Sequence, residues 1–105
     1  MKANPLPGEV WFVDFGCDTK PRYCLVIASR EDARLAVASV LLVTCQHAGT
    51  RYEATLPRVP WLREQSYVNA QSIQPVKWIE FSRRVGKFET SVMLQVATAL
   101  RAWLG

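Results

Sequence analysis

The sequence predicts a mainly β fold with a C-terminal helix, a small barrel of short antiparallel strands. Three observations carry that prediction. Short stretches rich in aromatic and β-branched residues recur as far as Phe81, each bounded by turn-forming residues such as Gly, Pro and Asp. From residue 90 onward the spacing changes, and Met93, Val96, Ala97, Leu100 and Leu104 recur with helical periodicity. The chain of 105 residues, 50% of them hydrophobic, suits a single domain spanning 1–105. A domain of this size buries about two-thirds of the surface its unfolded chain exposes, enough for a core without staples.

Pro5, Pro7 and Gly8 punctuate a short tail, and Glu9 to Phe15 then reads as the first strand. Gly16 to Pro21 is a turn, because Gly, Asp, Thr and Pro each favour turn geometry. Arg22 to Ser29 is the second strand, and Arg30 to Arg34 a charged turn. Leu35 to Cys45 is a third strand, apolar enough to be buried on both faces. After a Gln46 to Thr50 turn, Arg51 to Leu56 alternates weakly, as an edge strand does. Pro57 and Pro60 make the stretch to Gln65 a loop, since proline suits neither a helix interior nor a central strand. Ser66 to Ile73 forms a further strand, interrupted by Pro75 before Val76 to Phe81 continues it. Thr90 or Ser91 caps the helix, and Gly105 stops it. Five or six strands and one helix result, packed as a closed or half-open barrel with the helix over an open end.

Composition narrows the function. Disorder needs low hydrophobicity with high net charge, which this chain lacks. The longest apolar run, Leu35 to Val43, is broken by Ser39 and falls far short of a ~20-residue membrane span. No charged-then-apolar leader opens the chain. Cys17, Cys24 and Cys45 form an odd set with no CxxC pair, which fits a reducing cytosol better than a disulfide framework or a zinc site. Cys24 and Cys45 sit in apolar stretches and are expected as buried small hydrophobes, Cys17 as an exposed thiol in a polar turn. A single histidine, His47, argues against a histidine-based metal site. Thirteen basic and nine acidic residues give a formal net charge of +4. Lys20, Arg22, Arg51, Arg58 and Arg63 lie at or near turns, with Tyr23, Tyr52, Trp61 and Tyr67 close by. That combination suits single-stranded RNA, whose phosphates pair with cations and whose bases stack on rings. A solvated basic face is the other reading of the same charges.

Three stretches together resemble a known family. Pro7-Gly8-Glu9-Val10-Trp11-Phe12-Val13-Asp14-Phe15-Gly16 is similar to the first strand of the MazF/PemK toxins, and Arg22-Tyr23-Cys24-Leu25-Val26-Ile27-Ala28-Ser29 to their second. Val85-Gly86-Lys87-Phe88, with Met93, Val96, Ala99-Leu100-Arg101 and Leu104-Gly105, resembles the family's closing turn and helix. In order and length the resemblance covers nearly the whole chain. It implies an SH3-like small β-barrel of MazF/PemK/CcdB type, in a cytoplasmic homodimer. It further implies a toxin of a toxin–antitoxin module that cuts single-stranded RNA, often mRNA, at short sequences, with no metal or other cofactor. The implied partners are that RNA and a cognate antitoxin, with no membrane.

Metal-free cleavage of this kind uses the RNA's own 2′-hydroxyl as nucleophile. The protein must help deprotonate it, protonate the leaving oxygen and stabilise charge gathering on phosphorus. Arg22 matches the family's catalytic arginine at the head of the second strand. Its planar fork suits phosphate oxygens, while an ordinary strand-end arginine is the alternative. The family's Pro-Ile-Thr-Ser at the end of the third strand corresponds to Val43-Thr44-Cys45-Gln46, without the proline. Strand alternation puts Thr44 and Gln46 on one face and Cys45 on the other. His47 follows and is the expected proton-transfer group, against a loop histidine with no partner.

Arg22, Thr44 and His47 are thus the expected catalytic residues, and Lys20, Gln46, Arg51, Trp61 and Gln71 the expected RNA contacts. Trp11, Phe12 and Trp78 are expected in the core or a dimer contact, and Lys77, Arg83, Arg84 and Lys87 as a basic rim. The fifth strand departs from the family. Where relatives carry Asp-Gln-x-Arg-Thr, this chain has Ala70-Gln71-Ser72-Ile73-Gln74, so the acid falls on Ala70 and the second arginine on Ile73. That departure motivates a second reading, a non-catalytic member that binds RNA or an antitoxin, and a third is a toxin that shares the barrel architecture and poisons DNA gyrase.

Overall fold

A computed structural model describes residues 4–16 and 20–105 of the chain. The exposed thiol expected at Cys17 lies outside the described residues, as does the middle of the turn expected over 16–21. Among the described residues, seven strands and one α-helix follow in order: β1 (Glu9–Val13), β2 (Arg22–Ser29), β3 (Val37–Thr44), β4 (Glu53–Thr55), β5 (Tyr67–Asn69), β6 (Gln74–Lys77), β7 (Phe81–Lys87) and α1 (Thr90–Leu104).

Every strand pairing is antiparallel. The sheet runs β4-β5-β3-β2-β1-β7, with β6 added on β3. β3 is the hub: it pairs with β2, with β6 through Val37 to Val40, and with β5 through Val43 and Thr44. Register shifts between Val26 and Ala28 and twice along β1 bend the sheet, as bulges do. β4 and β7 end the path without pairing to one another, so the half-open form of the barrel is the one adopted.

β2 and β3 are buried on both faces because their side chains alternate between two cores. Leu25 and Leu41 join Val10, Leu56, Val68 and Val96 under the helix. Cys24, Val26, Ala38 and Val40 join Val13, Val76 and Phe81 on the other side. Fully burying a leucine such as Leu25 is worth roughly 1.5–3 kcal/mol, which is why polar residues are absent from these positions.

Several expectations change. The strand expected from Ser66 to Ile73 stops at Asn69, whose Oδ1 accepts the Gln71 N–H at 2.9 Å and starts a 3₁₀ turn over Ala70–Ser72. Pro75 sits inside β6 rather than breaking a strand, since β6 pairs only with β3 and loses nothing by lacking an N–H on its free side. The run from Val76 to Phe81 is split by a second 3₁₀ turn, Trp78–Glu80, where Glu80 Oε1 accepts the Lys77 N–H at 3.0 Å. β7 begins only there, and carries Arg83, Arg84 and Lys87 on a strand. Cys45 is exposed, not buried, because β3 ends one residue before it.

The helix begins at Thr90 with Glu89 as N-cap, so neither Thr90 nor Ser91 caps it. Its buried residues are Val92, Val96 and Ala99, with Met93 and Leu100 packed at their edge, while Ala97 and Leu104 face outward. Gly105 ends it at a φ of +91°, its N–H donating to the Arg101 carbonyl at 3.0 Å. At the other end of the fold, buried Glu9 is satisfied by the Leu6 N–H (2.8 Å), the Trp11 indole N–H (3.0 Å) and the Arg84 guanidinium (3.0 Å).

Candidate functional site

The first turn of β2, the last of β3 and the chain after β3 enclose one wall of a cleft of about 430 Å³. β2 and β3 pair Cys24 with Leu42, and carrying that antiparallel register on by two residues sets Arg22 opposite Thr44. Arg22, Leu42, Thr44 and Gln46 all line the cleft while Cys45 does not, as the two-residue period of a strand requires. His47 and Ala48 continue the wall, and Glu53, Asn69 and Ser72 close it from the far side.

The far side exists because β4, β5 and β3 lie side by side. Thr44 pairs with Tyr67, Thr55 also pairs with Tyr67, and Glu53 pairs with Asn69. Short strands thus bring a residue from each of three distant segments to one opening. Ser72 fixes the back of the cleft, its hydroxyl donating to the Asn69 carbonyl at 2.7 Å and accepting the Leu42 N–H at 3.0 Å.

The side chains within reach of a ligand have distinct capacities. Arg22 is exposed and forms no ion pair among the described residues, so its guanidinium faces the cleft with donors to spare. Thr44 Oγ1 accepts the Gln46 N–H at 3.1 Å and keeps its own proton to donate. The His47 ring lies flat on Tyr67, with centroids 4.2 Å apart and planes 3° from parallel. Stacking of that kind orients the imidazole while leaving its nitrogens at the ring edge. Glu53 is held below its ordinary carboxyl value by the Ala48 N–H, then by the Thr50 N–H and, more weakly, by the Thr50 hydroxyl and the His47 charge. A fixed cation, an edge-accessible imidazole, a hydroxyl and an amide on one wall can grip a phosphate and move protons beside it.

The structure therefore brings together Arg22, Thr44, Gln46 and His47. Lys20, Arg51, Trp61 and Gln71 lie outside the cleft lining. Lys20 is exposed two residues before Arg22. Arg51 donates to the Tyr52 hydroxyl at 3.0 Å and lies over that ring. Trp61 packs on Phe88, ring centroids 5.0 Å apart, and covers Gly86, so its indole serves as a lid on the core. The buried Ala70 and half-buried Ile73 supply no charge to the cleft.

Glu53, Asn69 and Ser72 are the polar lining residues that sequence reasoning missed. One signal for Glu53 was present: Thr50-x-x-Glu53 after a glycine has the spacing of a capping box, where a carboxylate reaches back to backbone N–H groups.

Residues 6–104 match a family model described as PemK-like, MazF-like toxin of type II toxin–antitoxin system. Comparison with the curated proteins finds no match. Among solved structures, the chain is similar to a mycobacterial endoribonuclease in complex with its cognate antitoxin, at 22% identity and a TM-score of 0.82, covering 96% of this chain and 95% of that one. It is similar to the Deinococcus radiodurans MazE–MazF complex at 20% identity and a TM-score of 0.79, over 96% and 95% of the two chains. The Mycobacterium tuberculosis toxin MazF-mt6 matches at 21% identity and a TM-score of 0.77, over 91% and 95%. At these identities the likeness is one of fold.

Proposed function

Since the chain belongs to the PemK-like, MazF-like toxins of type II toxin–antitoxin systems, we propose that it is a metal-independent, sequence-selective endoribonuclease of single-stranded RNA, neutralised by a cognate antitoxin. The observation that carries this reading is the cleft wall on which Arg22, Thr44, Gln46 and His47 meet. One of the similar structures is an endoribonuclease in complex with its cognate antitoxin, and another is of MazE–MazF.

The reaction is an internal transfer. The 2′-oxygen attacks phosphorus as its proton departs, and the bond to the 5′-oxygen breaks as that oxygen gains a proton. A 2′,3′-cyclic phosphate and a 5′-hydroxyl remain. Arg22 bridges the non-bridging oxygens of the pentavalent phosphorane, where negative charge is greatest. Thr44 donates its hydroxyl to the scissile phosphate and Gln46 contacts phosphate or base. His47 exchanges the proton of an attacking or leaving oxygen at its exposed ring edge. Lys20 and Gln71 extend contacts to flanking nucleotides. A homodimer in the cytoplasm completes the reading, with exposed Leu35 and Ile79 beside Trp78 as support for an apolar contact between copies.

The experiment is incubation of a long single-stranded RNA, in EDTA, with wild-type protein and with Arg22→Ala in parallel. Wild-type cleavage leaving cyclic-phosphate ends is expected, with a loss of about 100-fold or more in the variant, the usual cost of one transition-state donor. RNA that is bound but left whole would favour the non-catalytic reading, and inhibited supercoiling with intact RNA the gyrase reading.

A further inference from the structure

The acid missing at Ala70, just after β5, has a counterpart one strand away. Glu53 of β4 lines the cleft with Arg22 and His47, and its pairing partner Asn69 directly precedes Ala70. Its carboxylate is already engaged. Oε2 accepts the Ala48 N–H at 3.0 Å, while Oε1 accepts the Thr50 N–H at 2.6 Å and the Thr50 hydroxyl at 3.0 Å. The donors flank Gly49, whose φ of +79° lets the chain turn back there.

Such a carboxylate is a poor general base. Protonating it means weakening three hydrogen bonds made to its charged form, and those same bonds hold its pKa low. It is well placed, though, to hold a loop. His47 directly precedes Ala48, and its ring rests on Tyr67, so the imidazole is fixed by stacking on one side and by a backbone anchor on the other.

We propose that Glu53 is a positioning residue, pinning the 46–50 loop and thereby fixing His47 at the cleft. The catalytic consequence rests on the ribonuclease reading. Among the described residues, the charged and titratable groups around Glu53 are Arg22 of β2, His47 of the loop, Arg51 and Tyr52 just before it and Tyr67 of β5, with Arg101 the one such group on the helix that packs against β4. Among the described residues no other carboxylate lines the cleft, and comparison with Glu53→Gln assigns to Glu53 an acid transition felt by the Ala48 and Thr50 amides.

The test pairs an amide-resolved NMR pH titration of wild type and Glu53→Gln with cleavage kinetics on single-stranded RNA. In the wild type, the Ala48 and Thr50 amide signals move through a transition centred below the ordinary carboxyl value, and Glu53→Gln abolishes it. In that variant kcat falls about tenfold or more with KM nearly unchanged, because misplacing a reacting group by about 1 Å can cost on the order of 100-fold. Glu53→Asp, with the charge kept on a shorter stem, recovers part of that kcat. Thr50→Val, which removes one donor of three, gives a smaller loss in a folded protein. Amides that do not titrate, or a kcat unmoved in Glu53→Gln, overturn the proposal. Wild-type protein that cuts no RNA overturns the ribonuclease reading instead, and the amide titration then still decides whether Glu53 holds the loop.

Discussion

Cys24 and Cys45 have the same side chain and opposite chemistry, and burial is the whole difference. Cys24 lies fully buried between β1 and β3, where desolvation pushes its pKa up to about 12 against a smaller opposing pull from Arg22. The thiolate is the reactive species, so Cys24 stays inert near neutral pH while exposed Cys45 reacts. Maleimide labelling followed by peptide mapping should mark Cys45 at once and Cys24 only in denaturant; rapid native labelling of Cys24 would contradict the packing. Because the folded pKa is the raised one, the stability tied to this thiol is intact below pH 9 and declines above it, as the unfolded chain ionises first. Gly86 supplies a second test at this scale. A Cβ there would stand 2.3 Å from the Trp61 ring. Gly86→Ala should therefore cost about 1–3 kcal/mol, the range for overpacking, and shift the Trp61 emission to the red as the ring is displaced. In a Trp61→Ala background the same substitution should cost much less, because the clash is gone.

Elements read from the sequence fared according to how much of their identity was local. β2 is legible from Arg22 to Ser29 because turn residues bound it and eight residues of strand-forming character fill it. The C-terminal helix is legible as a helix, but its buried face is not. Periodicity favoured Ala97 and Leu104 as well as Met93, Val96 and Leu100, and only the position of the sheet decides which stripe turns inward. Val96→Ala should then cost about 1–3 kcal/mol in urea unfolding, as a fully buried site loses two methyl groups. Ala97→Ser and Leu104→Ser should stay within about 0.5 kcal/mol, as exposed sites do; equal losses at all three would mean the helix docks by another face. β7 was illegible because its signal is not apolar alternation. It is held by pairing to β1 and by Arg84 reaching the buried Glu9, both long-range facts. The site divides in the same way. Arg22 and Thr44 are legible through the resemblance to the family's strand ends, Gln46 through the two-residue period that puts it on Thr44's face, and His47 through its place next in the chain. Glu53, Asn69 and Ser72 depend on which short strands become neighbours, which no local pattern encodes.

At the scale of the whole molecule, the net charge of +4 is a weak guide to where a polyanion binds. The sheet path runs from β4 at one end to β7 at the other, and the cleft lies among β2 to β5. Arg83, Arg84 and Lys87 sit on β7, remote from it in the sheet, with Arg84 paired to Glu9 and Arg83 lying 5.7 Å over the Phe12 ring. Arg22 is the one arginine in the lining, and Glu53 places an opposite charge across from it. RNA gripped at this cleft therefore displaces few counterions. Each neutralised phosphate of a single strand adds about 0.7 to the slope of log affinity against log salt, so one or two contacts predict a slope of roughly −0.7 to −1.4. Titrating a 2′-O-methyl RNA, which binds but cannot be cut, across a range of salt concentrations measures that slope. Arg22→Ala should flatten it by about 0.7, the share of one phosphate. Lys87→Ala should leave it unaltered, because β7 ends the sheet path away from the cleft. A slope that falls equally for both variants would move the RNA off the cleft and onto the basic face at large.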